Sequence, residues 1–153
     1  MKKLTLVILL VFICGLLYGC SLLKSTGEAK RVGQTVPISV DRVILSSCKM
    51  GQNCIIKLNV KVNQNTEILG IEEKIPTGWT LVSSNPEVSF INVEKGKITW
   101  LFGGQLGKGN AESRTITYTL TSTTKENQFS GVWTTYPNEK RGTVGGKQSV
   151  RIR

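Results

Sequence analysis

The sequence contains no histidine among its 153 residues, and acidic side chains are scarce, with 10 Asp and Glu against 20 Lys and Arg. Without histidine, the chain has neither a Ser-His nor a Cys-His pair for nucleophilic catalysis, and it lacks a common nitrogen ligand of zinc. The Gly-Lys-Ser/Thr sequence of a phosphate-binding loop is also missing. A two-carboxylate hydrolase is the remaining catalytic alternative, but the outward strand positions offer Thr and Lys instead. We therefore expect no enzyme, no cofactor and no metal site.

No stretch after residue 24 has the apolar period of a helix, whereas several stretches alternate apolar and polar residues. Such alternation is typical of a strand with one buried and one solvent-exposed face. The clearest runs give two inward faces and one outward threonine face: Ile98, Trp100 and Phe102; Ile116, Tyr118 and Leu120; Thr115, Thr117, Thr119 and Thr121. We therefore predict an all-β fold, an antiparallel β-sandwich of about seven to nine short strands over residues 34–153.

The first part of the predicted domain contributes three strands. Residues 35–45 carry Pro37 near their start, which predicts an edge or starting strand because proline cannot donate to a ladder. The second strand has a clear inward face of Ile56, Leu58, Val60 and Val62. The turn residues 63–65 predict a hairpin between this strand and residues 66–75. Glu73 falls on an inward face, so we expect it at a strand end, at a bulge or paired with Lys or Arg, because a lone buried carboxylate is costly.

The N-terminus has the pattern of an export signal. Lys2 and Lys3 precede a predominantly apolar run, residues 4–17. The sequence Leu17-Tyr18-Gly19-Cys20 resembles the lipobox of bacterial lipoproteins, and this resemblance implies cleavage before Cys20 and its acylation by fatty acids such as palmitate. It predicts a signal peptide over residues 1–19 and a lipidated flexible tether over residues 20–33. The alternative is an uncleaved anchor, residues 4–23, whose length of about 20 residues would span a bilayer.

Both alternatives place the body of the chain outside the cytoplasm, in a bacterial cell envelope. In the lipoprotein family, Ser21 after the cysteine favours the outer membrane of Gram-negative cells. Of the four cysteines, Cys14 lies in the predicted signal peptide and Cys20 is the predicted lipid site, so Cys48 and Cys54 remain. An oxidising compartment favours a disulfide between them, and closing so short a loop contributes about 2 kcal/mol. A metal or redox pair is the alternative, but the spacing differs from Cys-x-x-Cys and histidine is absent.

The charge of the predicted mature chain is strongly positive. Without Lys2 and Lys3, 18 basic residues face 10 acidic ones, a net charge of +8. Mild basic clusters occur at Lys24, Lys30 and Arg31, and at Lys140, Arg141, Lys147, Arg151 and Arg153. One interpretation is solubility and a general attraction to anionic surfaces. The other is a docking patch for anionic lipid, an anionic glycan or an acidic protein; for an exported chain we expect no nucleic acid.

Three segments resemble a known family of domains. They are Gly-Ile-Glu-Glu-Lys-Ile-Pro-Thr-Gly-Trp at residues 70–79, Gly-Lys-Ile-Thr-Trp at 96–100 and Arg-Thr-Ile-Thr-Tyr-Thr-Leu at 114–120. Their order is similar to that in the immunoglobulin-like conserved-repeat domains of bacterial and archaeal surface proteins, over residues 58–133. The resemblance implies an immunoglobulin-like sandwich that spaces, adheres or presents. A single module on a lipid favours an accessory subunit of an envelope assembly.

Five side chains are the predicted contacts with a ligand or partner: Trp79, Tyr136, Lys108, Lys140 and Arg141. Aromatic rings stack on sugars, and cations pair with acidic groups. Trp100 and Trp133 are expected to be structural. We therefore predict a membrane-anchored protein that binds another envelope protein, for example by an exposed edge strand. The alternative is a glycan- or cell-wall-binding module.

Overall fold

The computed structural model describes residues 37–152, and every regular element within them is a β-strand. The ten strands are β1 (Ile38–Ile44), β2 (Asn53–Val62), β3 (Thr66–Lys74), β4 (Trp79–Asn85), β5 (Phe90–Asn92), β6 (Lys97–Leu106), β7 (Glu112–Ser122), β8 (Ser130–Tyr136), β9 (Arg141–Thr143) and β10 (Gly145–Gly146). The predicted signal peptide, lipid site and tether lie outside the described residues.

The strands form two five-stranded sheets. The first sheet has the order β10-β1-β2-β7-β4 and the second has the order β5-β6-β3-β8-β9. Neighbouring strands are antiparallel except β1 and β10, which are parallel. The predicted all-β sandwich is confirmed. The strands predicted around residues 35–45, 56–62, 66–75, 98–102 and 115–121 correspond to β1, β2, β3, β6 and β7, whereas β9 and β10 add short pairings that carry no alternating pattern.

The core lies between the sheets and consists of the inward positions that alternation predicted. The buried apolar side chains include Ile56, Leu58, Val60, Val62, Ile98, Trp100, Phe102, Ile116, Tyr118 and Leu120. Leu69 and Ile71 of β3 face the same core. Because each strand buries every second side chain, the two sheets together remove a continuous apolar layer from water, which is the main force that holds them together.

The predicted hairpin between β2 and β3 is wrong. β2 lies between β1 and β7 in the first sheet, and β3 lies between β6 and β8 in the second. Both edges of β2 are occupied, so residues 63–65 carry the chain across to the other sheet. The Thr66 hydroxyl, which donates to the carbonyl of Tyr136 over 3.0 Å, fixes the start of β3 there. A turn signal locates a reversal of the chain but does not specify which sheet the next strand joins.

The segment 147–152 contacts both sheets instead of extending one ladder. The Lys147 amide donates to the Arg42 carbonyl over 2.9 Å on the first sheet, and the Phe129 amide donates to the Gln148 carbonyl over 2.7 Å next to β8. Isolated bridges join Ser149 to Gln128 and Ile152 to Cys48. Val150 is buried, and Ile152 is half-buried. The segment therefore closes one side of the sandwich.

Cys48 and Cys54 form the predicted disulfide, with an S–S distance of 1.93 Å. Both cysteines are buried. The loop between them packs on the end of the first sheet, where the Gly51 amide donates to the Ser122 carbonyl over 2.8 Å. The bridge thus fixes the connection between β1 and β2.

Candidate functional site

A buried ionic cluster connects the two sheets. The guanidinium of Arg42 on β1 donates from Nε to Oε2 of Glu73 over 2.8 Å and from Nη2 to Oε1 over 2.7 Å. Tyr118 on β7 donates its hydroxyl to the same Oε2 over 2.9 Å. Both charged side chains are fully buried, at 0% exposure. The expectation that Glu73 pairs with a basic residue is therefore confirmed, and its partner is Arg42.

The remaining donors of Arg42 are also satisfied. Nη1 donates to the carbonyl of Lys147 over 2.8 Å and to Oε1 of Gln148 over 3.0 Å, and the guanidinium carbon lies 5.5 Å from the ring centre of Phe129. This network joins β1, β3, β7 and the segment 147–152 in one place. Its groups are enclosed and mutually bonded, so the cluster is a structural connection rather than a site open to a ligand.

The ionisation of this cluster reflects its burial. Burial raises the pKa of the Glu73 carboxyl, and the hydrogen bonds and charge of Arg42 oppose this shift without cancelling it. Burial acts in the opposite direction on Arg42, but its contacts with Glu73 outweigh that effect and raise the guanidinium pKa. Burial and the Glu73 charge together hold the pKa of the Tyr118 hydroxyl well above its usual value.

An open apolar cleft lies on another side of the sandwich, between β4 of the first sheet and β5 of the second. Its volume is about 210 Å³, and its apolar lining comprises Ile75, Trp79, Leu81, Ile91, Val93 and Ile98. A wider depression of about 490 Å³ continues past the ends of these strands and is bordered by Lys74, Glu94, Lys95 and Lys97. Apolar walls with a few charged groups at the mouth are typical of a binding site.

Large apolar side chains are exposed on and next to β5. Val93 is 85% exposed, Phe90 is 63% exposed and Ile91 is also exposed; these three are called the β5 cluster below. Ile91 and Val93 line the cleft, whereas Phe90, opposite Thr99, lies on the outward face of the second sheet. β5 is held to β6 by the pairing of Phe90 with Thr99, and the Leu101 amide donates to the Ser89 hydroxyl over 3.0 Å. The hairpin that presents these side chains is therefore well anchored. Clustered exposed apolar groups of this kind mark interaction surfaces.

β4 forms one wall of the cleft and is also an edge strand. It has seven residues, whereas the other edge strands β5, β9 and β10 have three, three and two. Its sequence, Trp-Thr-Leu-Val-Ser-Ser-Asn, contains neither a charged residue nor proline. Proteins usually protect edges by shortness, charge or proline. Apart from a bulge between Leu81 and Ser83, β4 lacks this protection.

The register of β4 shows which backbone groups are available. The Thr123 amide donates to the Gly78 carbonyl over 2.9 Å, which makes Trp79 and Ser122 a non-hydrogen-bonded pair of the ladder. Because hydrogen-bonded and non-hydrogen-bonded pairs alternate, Leu81 is also in a non-hydrogen-bonded pair. Its N–H and C=O therefore point away from β7, towards the open edge.

The predicted contact residues do not form one site. Trp79 lies on the cleft wall, but its indole is buried, packs 5.4 Å from Phe129 and donates to the Glu126 carbonyl over 2.6 Å. The other four lie towards the opposite end of β3: Tyr136 is exposed next to Ile68, Lys140 donates to Gln64, Arg141 is opposite Thr134, and Lys108 donates to Gln105.

The sequence analysis missed the cleft and the β5 cluster. The signal for them was present, because Phe90, Ile91 and Val93 are adjacent in a stretch that lacks clean alternation. In such a stretch, at least one large apolar side chain has to face solvent. Which one does so depends on the position of β5 at a sheet edge, and this position is a property of the strand order.

Within residues 37–152, no group of three or more acidic or cysteine side chains is arranged to hold a metal ion. The same part of the chain has no helix with the length and apolarity needed to cross a bilayer.

Comparison with solved structures finds distant likenesses to this fold. Neither a family model nor a curated protein matches the chain. A solved structure titled "Crystal structure of BslA - A bacterial hydrophobin" is similar with a TM-score of 0.45 and 14% identity, over 76% of this chain and 95% of that chain. At this identity and TM-score, the likeness supports no inference about function.

Proposed function

We propose that this chain is a non-catalytic, lipid-anchored module of the cell envelope that binds an extended segment of another envelope protein along β4. The observation that carries the proposal is the coincidence of three features at one place. A long, uncharged edge strand, an apolar cleft and a cluster of exposed apolar side chains adjoin one another. Each feature is common by itself, but together they are the elements of a strand-addition site.

The contacts of such a complex follow from the edge geometry. An added strand would bond to the outward N–H and C=O of Leu81, and its alternate side chains would enter the cleft between Leu81 and Ile91. Main-chain hydrogen bonds supply affinity in this mode, and the side-chain pockets supply specificity. The partner segment is therefore expected to alternate apolar and polar residues.

Charged side chains at the mouth of the cleft indicate which charge the partner segment should carry. Lys74, Lys95 and Lys97 border the depression together with a single acid, Glu94. Lys97 donates to Glu72 over 2.7 Å and is already paired. Lys74 and Lys95 remain to attract an acidic residue next to the apolar part of the partner segment.

Replacing Leu81 by proline tests the strand-addition mode. Proline removes the outward N–H without removing a ladder bond to β7, so the sandwich is expected to stay folded while affinity for the partner falls at least tenfold. Leu81→Ala is the matched control, because it shortens the same side chain and keeps the N–H. The partner is first identified by photo-crosslinking from position 93 in intact cells. Binding of the purified partner to each variant is then measured by titration calorimetry.

Equal binding by Leu81→Pro and Leu81→Ala would contradict strand addition at β4. Photo-crosslinking from Thr117, on β7 of the first sheet, serves as a second control because that strand is paired on both sides. A protein captured from position 117 as efficiently as from position 93 would not be a specific partner of the cleft.

The lipid anchor is a separate part of the proposal and has its own test. Replacing Cys20 by serine removes the thiol that would be acylated, so the protein should leave the membrane fraction and appear in the soluble fraction. Two or more acyl chains anchor stably, whereas an unacylated tether does not. Fractionation of cells expressing each form measures the difference. If Cys20→Ser stays in the membrane fraction even after a wash at high salt, which weakens the attraction between cationic side chains and anionic lipid, residues 4–23 form an uncleaved anchor.

The glycan-binding alternative has less support. Trp79, Trp100 and Trp133 are all buried, and the exposed aromatic rings of the described residues are Phe90 and Tyr136. Phe90 belongs to the β5 cluster, whereas Tyr136 lies at the end of β8. A sugar-binding platform usually needs rings that are exposed and close together.

A further inference from the structure

The outward face of the first sheet combines apolar and basic side chains on the β1 side. Its centre is formed by Val43, Leu45 and Ile55, which are exposed large apolar residues. The surrounding cations are Lys57 and Lys61 on β2, and Lys147 and Arg151 in the closing segment. These seven side chains are called the basic face below.

The register places these side chains next to one another. Val43 is directly opposite Lys57 on β2, and the Leu45 amide donates to the Ile55 carbonyl over 2.9 Å. On the other side of β1, Arg42 is opposite Gly146, which brings Lys147 next to Val43. A groove of about 350 Å³ opens there, and its lining includes Lys147, Arg151 and the serines Ser46, Ser47 and Ser149.

The charge of the basic face is nearly all of one sign. Asp41 is the single acidic side chain on the outward positions of β1, β2, β7 and residues 147–151 within the described chain. On the opposite sheet, by contrast, Lys97 is paired with Glu72. Arg42 and Glu73 point inward and neutralise each other, so they do not alter the potential of the basic face.

We infer that the basic face lies on an anionic membrane surface, with Leu45 and Ile55 inserted at the level of the lipid headgroups. Cations attract anionic lipid, and apolar side chains among them gain by leaving water. A soluble polyanion would use the cations but would leave the apolar centre exposed. The groove beside Lys147 offers two cations and hydroxyl groups to a headgroup phosphate.

Membrane contact and partner binding use different surfaces of the same domain. β4 is separated from β1 by β2 and β7, and the outward threonines of β7 lie between the two surfaces. A domain resting on its basic face would therefore keep the β4 edge accessible. This inference goes beyond the proposed partner site and does not depend on it.

Photo-crosslinking to lipid tests the inference on the full-length chain. The photoreactive amino acid p-benzoylphenylalanine is placed at Leu45 or, as a matched control, at Ile68, an exposed apolar position on the opposite sheet. The chain is incubated with nanodiscs of phosphatidylglycerol and phosphatidylcholine, or of phosphatidylcholine alone. In the anionic discs, lipid adducts from position 45 should exceed those from position 68 at least tenfold. In the neutral discs, the excess should largely disappear.

Charge-reversal variants show whether the basic face itself is responsible. Lys57→Glu with Lys147→Glu should reduce the adducts from position 45 at least fivefold, whereas Lys74→Glu with Lys95→Glu, the same charge change beside the β4 cleft, should not. Equal yields from positions 45 and 68, equal effects of the two double variants, or failure to associate with anionic discs would each overturn the inference. Leu81→Pro should leave the adducts unchanged, which separates this test from that of the partner site.

Discussion

Replacing Arg42 by alanine is expected to destabilise the sandwich by about 3–5 kcal/mol, the usual cost of removing one partner of a buried ion pair. The substitution leaves the Glu73 carboxylate at 0% exposure without its cation. It also removes the donor to the Lys147 carbonyl and to the Gln148 side chain. Denaturant unfolding followed by circular dichroism measures the loss of free energy.

The stability of Arg42→Ala should also depend on pH in a defined direction. Burial already raises the pKa of Glu73, and the variant loses the Arg42 contacts that lower it. Because the pKa of Glu73 is higher in the folded protein, there is a pH range in which Glu73 is protonated in the folded state but ionised in the unfolded chain. Stability is therefore highest below the unfolded pKa of about 4.3 and falls as the pH rises through the folded pKa. Adding Glu73→Gln should remove this slope and recover part of the stability at pH 7.

The surface ion pair between Lys97 and Glu72 supplies the control. Both side chains are 35% exposed, so Lys97→Ala should cost about 0–1 kcal/mol. If Arg42→Ala costs no more than Lys97→Ala, or if its stability rises between pH 5 and pH 7, the buried cluster does not have the role described above.

Replacing Trp100 by alanine is expected to cost about 3–5 kcal/mol, the usual range for truncating a buried tryptophan. Its indole is 1% exposed and packs 5.3 Å from the ring of Tyr118. Nε1 donates to the Ser84 hydroxyl over 3.0 Å and to the Pro86 carbonyl over 3.3 Å. The side chain thus connects β6 of the second sheet to the end of β4. Thermal and denaturant unfolding measure the effect.

Two further substitutions separate the contributions of Trp100. Trp100→Phe keeps an aromatic ring but loses the bonds to Ser84 and Pro86, and should cost about 1–2 kcal/mol. Thr99→Ala, the neighbouring outward position of the same strand, should change stability by no more than about 0.5 kcal/mol. A Trp100→Ala protein as stable as Thr99→Ala would show that the ring does not support the core.

The alternation of apolar and polar residues predicted most of the core, because this pattern is a property of each strand by itself. Ile98, Trp100, Ile116 and Tyr118 are buried as their spacing required. The partnership of Glu73 with a base was also predictable, since an unpaired buried carboxylate is too costly. Arg42 itself was missed. It follows Ile38 and Val40 on the alternate positions of β1 that face inward, and it could have been identified from that position.

Strand order was not predictable, because it depends on contacts between distant segments. The residues 63–65 have the composition of a hairpin turn, yet β2 and β3 pair with other strands. The openness of the β4 edge and the exposure of Val93 depend on this order, so the candidate site could not be located from the sequence. The predicted contacts Tyr136 and Arg141 are exposed in the structure, but they lie away from the cleft.

The connectivity of the Arg42 cluster has a consequence for how the domain forms. The guanidinium bonds to Glu73, 31 positions later, and to the Lys147 carbonyl, 105 positions later. An emerging polypeptide therefore carries an incompletely satisfied charge on its first strand until the segment 147–152 is in place. Contacts between residues this distant along the chain slow folding, because the entropy of the long loop is lost before the contacts can stabilise the structure. Nearly the whole domain, as far as Lys147, therefore has to be available before the chain can reach its native state.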